Sequence, residues 1–230
     1  MEKNQYNLCL EVLNRLNTSG VLKEIILIGS WCLPFYSEYF SNVKYNPVFR
    51  TRDMDFLVPL PRKIKINIDI FDLLKDLGFI VGFQGKEGYI RLEHPALIIE
   101  FLVPEKGKGT NKPISLSQLG VNATALRFLN FLTDNTILVK VEDFNVRLPH
   151  PANFALHKLI IFQRRKNEEK AMKDFLSAIE ILKALIAKKE TGMIYKVFSS
   201  IPQKWQKNII KRLEESKETE ISRVLRNISL

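Results

Sequence analysis

TRDMDFLVP, residues 51–59, has the pattern of a β-strand with two unlike faces. Side chains alternate across a strand, so Asp53 and Asp55 leave the same face, with Cα atoms about 6.7 Å apart. Met54 and Phe56 leave the opposite face and are apolar. A strand that buries one face while presenting two carboxylates on the other is costly unless a cation neutralises them. The stretch therefore predicts a half-buried strand with a candidate cation site.

Two kinds of cation can neutralise this carboxylate pair. A divalent ion is the simplest, and paired aspartates that bridge Mg²⁺ are what two-metal phosphoryl or nucleotidyl transfer requires. The alternative is a surface ion pair with the flanking Arg50 or Arg52. The pattern of this strand alone leaves both interpretations open.

A third carboxylate interrupts the apolar stretch LIIEFLV, residues 97–103. Every second residue from Leu97 is apolar, which defines a buried face, and Glu100 lies on the opposite face. If this strand neighbours the aspartate strand, the three carboxylates converge. The alternative for Glu100 is an ion pair on the sheet with Arg91 or Arg147. Two other acidic residues, in more polar surroundings, are weaker candidates for a third ligand: Glu93 and Asp69.

A glycine-serine turn follows the first predicted strand. The β-branched run of residues 24–28 ends at Gly29-Ser30, and residues 31–42 read as a helix rich in aromatic side chains. Backbone amides at a strand-to-helix turn can bind phosphate groups, and glycine lets the backbone approach them. In isolation the same dipeptide is an ordinary turn.

The remaining pattern predicts two domains. Residues 1–150 mix helical and strand periodicities, so we expect an α/β (α+β) domain with a mixed sheet and flanking helices. Residues 151–230 are predicted to form an α-helical domain. The other expected elements are helices over 8–16, 68–77, 152–187 and 203–227, hairpins over 79–92 and 136–148, and a mobile loop over 104–118.

Composition narrows the class of protein. The 230 residues are 46% hydrophobic and 26% charged, which is typical of a folded globular chain. The two cysteines, Cys9 and Cys32, form no CxxC pair, which argues against structural zinc and favours a reducing compartment. No apolar run approaches a membrane span, and residues 1–13 do not resemble a cleavable signal. We therefore expect a cytoplasmic protein.

The net charge of +10 is concentrated at the C-terminal end. Residues 151–230 hold 17 Lys/Arg and 9 Asp/Glu, whereas residues 1–150 hold 18 and 16. A basic lobe favours a polyanionic partner such as nucleic acid or a nucleoside triphosphate. The alternative is a lysine-rich helix surface exposed to solvent.

In this order, the stretches LIGSWCLPFY, TRDMDFLVP and LIIEFLV resemble the DNA polymerase β-like nucleotidyltransferase superfamily. The chain is most similar to stand-alone bacterial and archaeal members of unassigned substrate. Its segment PANFALHKLIIFQRRKNEEKAMKDFLSAIEIL also resembles nucleotidyltransferases of toxin-antitoxin and abortive-infection systems. The resemblance covers residues 22–185 and implies a nucleotidyltransferase-like sheet followed by helices.

The resemblance also implies roles for individual residues. Asp53 and Asp55 would hold two Mg²⁺ ions, joined by Glu100, which would help to deprotonate the acceptor hydroxyl. Gly29 and Ser30 would bind the β and γ phosphates. The residues expected to meet the triphosphate or the acceptor from the helical domain are Lys158, with Arg164 or Lys170.

The predicted reaction is attack of an acceptor hydroxyl on the α-phosphorus of a nucleoside triphosphate, with release of pyrophosphate. The acceptor is an RNA end, a small molecule or a protein hydroxyl. The alternative is a non-catalytic protein that keeps the fold to bind nucleic acid or a toxin-antitoxin partner. The position of Glu100 discriminates between them, because catalysis loses its third ligand if Glu100 points away from Asp53 and Asp55.

Overall fold

A computed structural model describes residues 3–47, 51–60 and 64–227. These residues form nine α-helices: α1 (Lys3–Thr18), α2 (Cys32–Tyr39), α3 (Ile70–Leu74), α4 (Asn130–Thr133), α5 (Pro151–Ile161), α6 (Glu168–Ala187), α7 (Thr191–Ser199), α8 (Gln203–Glu215) and α9 (Thr219–Leu225). They also form nine strands: β1 (Ile26–Ile28), β2 (Asp53–Leu57), β3 (Ile80–Gln84), β4 (Tyr89–Glu93), β5 (Ile98–Pro104), β6 (Ile114–Leu116), β7 (Val121–Leu126), β8 (Thr136–Val141) and β9 (Phe144–Pro149). None of these helices is both long and apolar enough to cross a membrane.

Seven strands form one mixed sheet. The order β1-β2-β5-β4-β3 places the aspartate strand β2 between β1 and β5, and β7 joins β5 and β6. β2 is antiparallel to β1 and parallel to β5, whereas β4 is antiparallel to β5. The remaining strands, β8 and β9, form a separate hairpin. This confirms the predicted mixed sheet with flanking helices and a helical C-terminal part.

The buried face of the sheet follows from the alternation in β2 and β5. Met54 and Phe56 are fully buried, and the ring of Phe56 stacks on that of Phe101 with centroids 5.8 Å apart. Burying side chains of this size contributes about 1.5–3 kcal/mol each. The buried face therefore fixes the orientation of β2, and this orientation turns both aspartates to the opposite face.

The chain divides into two compact units, residues 1–35 with 49–149, and residues 36–48 with 150–230. The division differs from the predicted domains in residues 36–48, which belong to the second unit. Aromatic side chains explain this assignment, because Tyr36 packs edge-on against Phe154 with ring centroids 5.4 Å apart. In addition, the Tyr39 hydroxyl donates a hydrogen bond to Glu190 Oε2 at 2.6 Å.

Some local elements differ from the sequence expectation. The predicted loop 104–118 contains β6, which pairs with β7. The predicted helix 152–187 is two helices, because α5 ends at Ile161 and α6 starts after Asn167, whose side chain accepts a hydrogen bond from the amide of Lys170 at 2.9 Å. Segments without a predicted element form β7, α4 and α7.

Candidate active site

The three predicted carboxylates lie on two neighbouring strands. Asp55 of β2 is in register with Glu100 of β5 on one side and with Ile28 of β1 on the other. Residues directly opposite each other in adjacent strands present their side chains on the same face. Asp53, Asp55 and Glu100 therefore share one face, as the alternation predicted. The side chains remain open to solvent, since Asp53 is 43% and Glu100 25% exposed.

The glycine turn lies directly against this face. Gly29 follows β1 and has a φ of 70°, in the left-handed region that favours glycine. A Cβ atom at this position would collide with the carboxylate of Asp55. Glycine is therefore required at position 29 for two reasons: the backbone conformation disfavours other residues, and the Asp55 carboxylate leaves no room for a side chain. The half-buried Ser30 comes next, in the short turn Gly29–Trp31 that leads into α2.

An arginine of β4 contacts two of the carboxylates. Arg91 Nε forms an ion pair with Glu100 Oε1, and Arg91 Nη2 lies 3.9 Å from Asp53 Oδ1. Of the two arginines considered for Glu100 from the sequence, the structure places Arg91 there. The other, Arg147, donates a hydrogen bond to the carbonyl of Lys23 at 3.2 Å. A basic residue within the mixed pattern of Tyr89–Glu93 is the sequence signal that points to Arg91.

The donor chemistry of this face suits a magnesium ion. Carboxylate oxygens are the protein ligands that Mg²⁺ prefers, and Asp53 and Asp55 supply them from one strand. Across residues 3–47, 51–60 and 64–227, no three His, Cys, Asp or Glu side chains are already arranged to hold a metal ion together. In this structure Glu100 is paired with the guanidinium of Arg91. The residues fit a divalent ion that replaces this contact.

The two weaker candidates for a third ligand have other contacts. Asp69 caps α3, because its side chain accepts a hydrogen bond from the amide of Asp72 at 3.1 Å. Glu93 lies against Gly82 of the neighbouring strand, where a Cβ atom would come within 2.6 Å of its carboxylate. Of the three candidates, Glu100 is the one in register with the aspartate strand.

The basic residues predicted to meet the triphosphate lie in the second unit. Lys158 is 5% exposed, and its Nζ atom lies 2.6 Å from Asp174 Oδ1. The second oxygen of Asp174 pairs with Arg165 Nε at 2.9 Å. Arg164 lies over the ring of Trp205, 5.9 Å from its centroid, and Lys170 is exposed. The triphosphate contacts of these cations stay predictions.

Asp174 was not recognised from the sequence. The signal for it was a lysine inside the apolar helix α5, since a buried ammonium group needs a carboxylate partner.

The three histidines have structural contacts. His150 caps α5 by accepting a hydrogen bond from the amide of Ala152 at 3.1 Å, and burial lowers its pKa. His157 is buried, which lowers its pKa to about 3 and keeps the ring neutral at physiological pH. His94 accepts a hydrogen bond from the amide of Ala96 at 3.0 Å. These contacts give all three histidines structural roles.

Comparison with known proteins gives a family. A family model described as nucleotidyltransferase matches residues 7–196. No curated protein sequence matches the chain. The solution structure of the antibiotic-resistance factor ANT(2'')-Ia is 12% identical, covers 96% of this chain and 98% of its own, and has a TM-score of 0.49.

Two further solved structures are similar. The crystal structure of ANT(2")-Ia in complex with adenylyl-2"-tobramycin is 11% identical over 83% of this chain and 97% of its own, with a TM-score of 0.45. The crystal structure of an antigenic nucleotidyltransferase-like protein from Paracoccidioides brasiliensis is 14% identical over 93% of this chain and 92% of its own, with a TM-score of 0.44.

Proposed function

The chain belongs to the nucleotidyltransferase family, and from that premise we propose that it is a Mg²⁺-dependent enzyme that transfers a nucleoside monophosphate from a nucleoside triphosphate to a hydroxyl acceptor. One observation carries the proposal. Asp55 lies between Glu100 of the neighbouring strand and the glycine turn at Gly29. This position supports a site where metal ligands adjoin a phosphate-binding turn.

Each residue of this face has a proposed role. Asp53 and Asp55 hold divalent ions, and Glu100 joins them as a third ligand. A bound Mg²⁺ ion supplies positive charge that stabilises the α-phosphate and the leaving pyrophosphate. The amides of the turn and the hydroxyl of Ser30 donate hydrogen bonds to the β and γ phosphates, as Gly29 leaves room for their approach.

The reaction forms one bond and breaks one. The oxygen of the acceptor hydroxyl bonds to the α-phosphorus, and the bond from that phosphorus to the pyrophosphate oxygen breaks. The hydroxyl proton passes to a nearby base, and Glu100 is the carboxylate proposed to assist. Because such a transition state needs little covalent help, the protein acts mainly by positioning groups and neutralising charge.

The acceptor belongs to one of three classes: an RNA end, a small molecule or a protein hydroxyl. Arg164 remains the residue of the second unit proposed to contact the triphosphate or this acceptor, because Lys158 is buried and paired with Asp174. The proposed compartment is the cytoplasm, and Cys9 and Cys32, both buried free thiols, are consistent with a reducing environment.

Calorimetric titration tests the site. Each of the four nucleoside triphosphates is titrated with Mg²⁺ into wild type and into the double variant Asp53→Asn/Asp55→Asn. We expect Mg²⁺-dependent binding of at least one nucleotide by wild type and its loss in the variant. Failure of wild type to bind any of the four would contradict the proposal. The fold would then serve a non-catalytic role, such as binding nucleic acid or a toxin-antitoxin partner.

A further inference from the structure

We propose that Arg91 is a built-in counter-ion that competes with the divalent metal for Glu100 and Asp53, so that the metal binds weakly until a nucleoside triphosphate is present. The inference rests on the proposed function, because it assumes that Asp53 and Asp55 bind the metal. It goes further by proposing that Arg91 of β4 regulates metal binding at that site. Arg91 acts through the carboxylates, so it is a positioning residue and not a catalytic one.

The register of the sheet places Arg91 beside the carboxylates. Leu92 of β4 is paired with Ile99 of β5, so the preceding residue of β4 comes next to Glu100. Arg91 Nε forms an ion pair with Glu100 Oε1 of β5, and Arg91 Nη2 lies 3.9 Å from Asp53 Oδ1 of β2. One guanidinium group thus contacts carboxylates of both strands. The Arg91 side chain is only 20% exposed, so water screens these contacts less than at an open surface.

The charges of this face are unequal. Three carboxylates lie on this face, and Arg91 contacts two of them, Asp53 and Glu100. The guanidinium of Arg91 and a divalent metal ion compete for the same carboxylate oxygens. The metal must therefore displace the guanidinium from Glu100, and the two cations repel each other while both are present.

A triphosphate provides the counter-charge that removes this competition. Guanidinium groups bind phosphate oxygens, as they bind carboxylates, through paired hydrogen bonds. A nucleotide at the Gly29 turn brings several negative charges next to Asp55 and so stabilises both the metal and Arg91. Binding of metal and nucleotide is therefore cooperative, and each increases the affinity for the other by the same factor.

Manganese binding tests the competition without any acceptor. The electron paramagnetic resonance signal of free Mn²⁺ gives the affinity of wild type, Arg91→Met and the matched control Arg147→Gln, each without nucleotide. We expect Arg91→Met to bind Mn²⁺ at least about tenfold more tightly than wild type, which corresponds to about 1.4 kcal/mol. Arg147→Gln should match wild type, because its guanidinium contacts the Lys23 carbonyl instead. A non-hydrolysable triphosphate analogue should shrink the difference between Arg91→Met and wild type.

The same titrations separate the two proposals. If Arg91→Met binds Mn²⁺ no more tightly than wild type while Asp53→Asn/Asp55→Asn loses Mn²⁺ binding, the counter-ion role is wrong and the metal site stands. If Asp53→Asn/Asp55→Asn binds Mn²⁺ as well as wild type does, the proposed metal site itself is wrong.

Thermal unfolding distinguishes a counter-ion from a merely structural arginine. We expect Arg91→Met to melt at a lower temperature than wild type without metal, and saturating Mn²⁺ to close that gap. An equal loss with and without Mn²⁺ would overturn the proposal. Arg91→Lys serves as a second variant that keeps the charge, and we expect its Mn²⁺ affinity to lie between those of wild type and Arg91→Met.

Discussion

The two compact units each contain a cluster of opposite charges, and the clusters differ in balance and in burial. The carboxylate face of the first unit, formed by Asp53, Asp55 and Glu100 with Arg91, is rich in acidic side chains and is partly exposed. The buried lysine cluster of the second unit joins Lys158 and Arg165 to Asp174 and has an excess of positive charge. In that cluster Lys158 and Asp174 have side chains only 6% and 8% exposed.

The difference separates structural charge from charge available for binding. A buried charge must find its partner during folding, because losing one partner leaves the other without compensation in a medium of low dielectric constant. The side chains of the carboxylate face are partly exposed, so water offsets part of the cost of losing a partner there. A cation from solution can reach them. Variants of the buried lysine cluster should thus change stability, whereas variants of the carboxylate face should change binding.

The largest effect on stability is expected in the buried lysine cluster. Asp174→Asn should lower the free energy of unfolding by about 3 kcal/mol or more, because Lys158 would stay buried without a carboxylate. Urea denaturation measures the change. The matched control on the same helix is Glu169→Gln, whose partner Lys173 is exposed, and its stability should stay close to that of wild type. Equal effects of both variants would remove the distinction between the clusters.

The next largest effect on stability is expected from protonation of His157 in the second unit as the pH falls. Burial lowers the pKa of His157 to about 3, so the unfolded chain takes up a proton near pH 6.5 while the folded chain does not. Stability from this histidine is present above pH 6.5 and is lost as pH falls toward about 3. Between pH 7 and pH 5 the loss should be about 2 kcal/mol, as one pKa unit corresponds to about 1.4 kcal/mol. Urea denaturation of His157→Leu should show a flatter dependence, and an unchanged slope would contradict this origin.

A smaller effect is expected at the turn beside the carboxylate face. Gly29→Ala places a side chain at a φ of 70°, which should cost about 1–2 kcal/mol of stability. It should also push the Asp55 carboxylate aside and weaken Mg²⁺-dependent nucleotide binding, measured by calorimetry. Gly192→Ala is the control, because a Cβ atom there meets no neighbour within 4 Å. Unchanged nucleotide affinity in Gly29→Ala would argue against a phosphate role for the turn.

The smallest effect on stability is expected at the carboxylate face itself. Asp53→Asn/Asp55→Asn should change the free energy of unfolding by less than about 0.5 kcal/mol, because its half-exposed charges repel one another. Chemical denaturation without metal measures it. A loss of more than about 2 kcal/mol would mark both aspartates as parts of a structural ion-pair network.

The alternation of apolar and acidic residues along β2 and along β5 predicted which side chains form the carboxylate face. The apolar residues Met54 and Phe56 defined the buried side of β2, and the same reasoning in β5 placed Glu100 opposite its apolar face. Both assignments hold because a slip of one residue would bury the carboxylates. The family and the mixed fold were confirmed. The roles of the site residues stay predictions.

Other features depend on contacts between distant parts of the chain. Which strand neighbours β2, and which of Arg91 and Arg147 reaches Glu100, is set by sheet order and register, which local patterns do not specify. Residues 36–48 join the second unit through Tyr36 and Tyr39, whose partners lie more than 100 residues away. One helix was expected over 152–187, but the polar run 163–170 contains the break, and Asn167 within it caps the start of α6.

A crystal structure with Mn²⁺ and a non-hydrolysable nucleoside triphosphate analogue, with data collected at the manganese absorption edge, tests the proposed metal and phosphate sites together. We expect anomalous density at Asp53 and Asp55 with Glu100 turned from Arg91 toward the metal, and the phosphates at the Gly29-Ser30 turn. Manganese bound elsewhere, or nucleotide bound with the Arg91–Glu100 ion pair intact and no metal at the aspartates, would contradict this expectation.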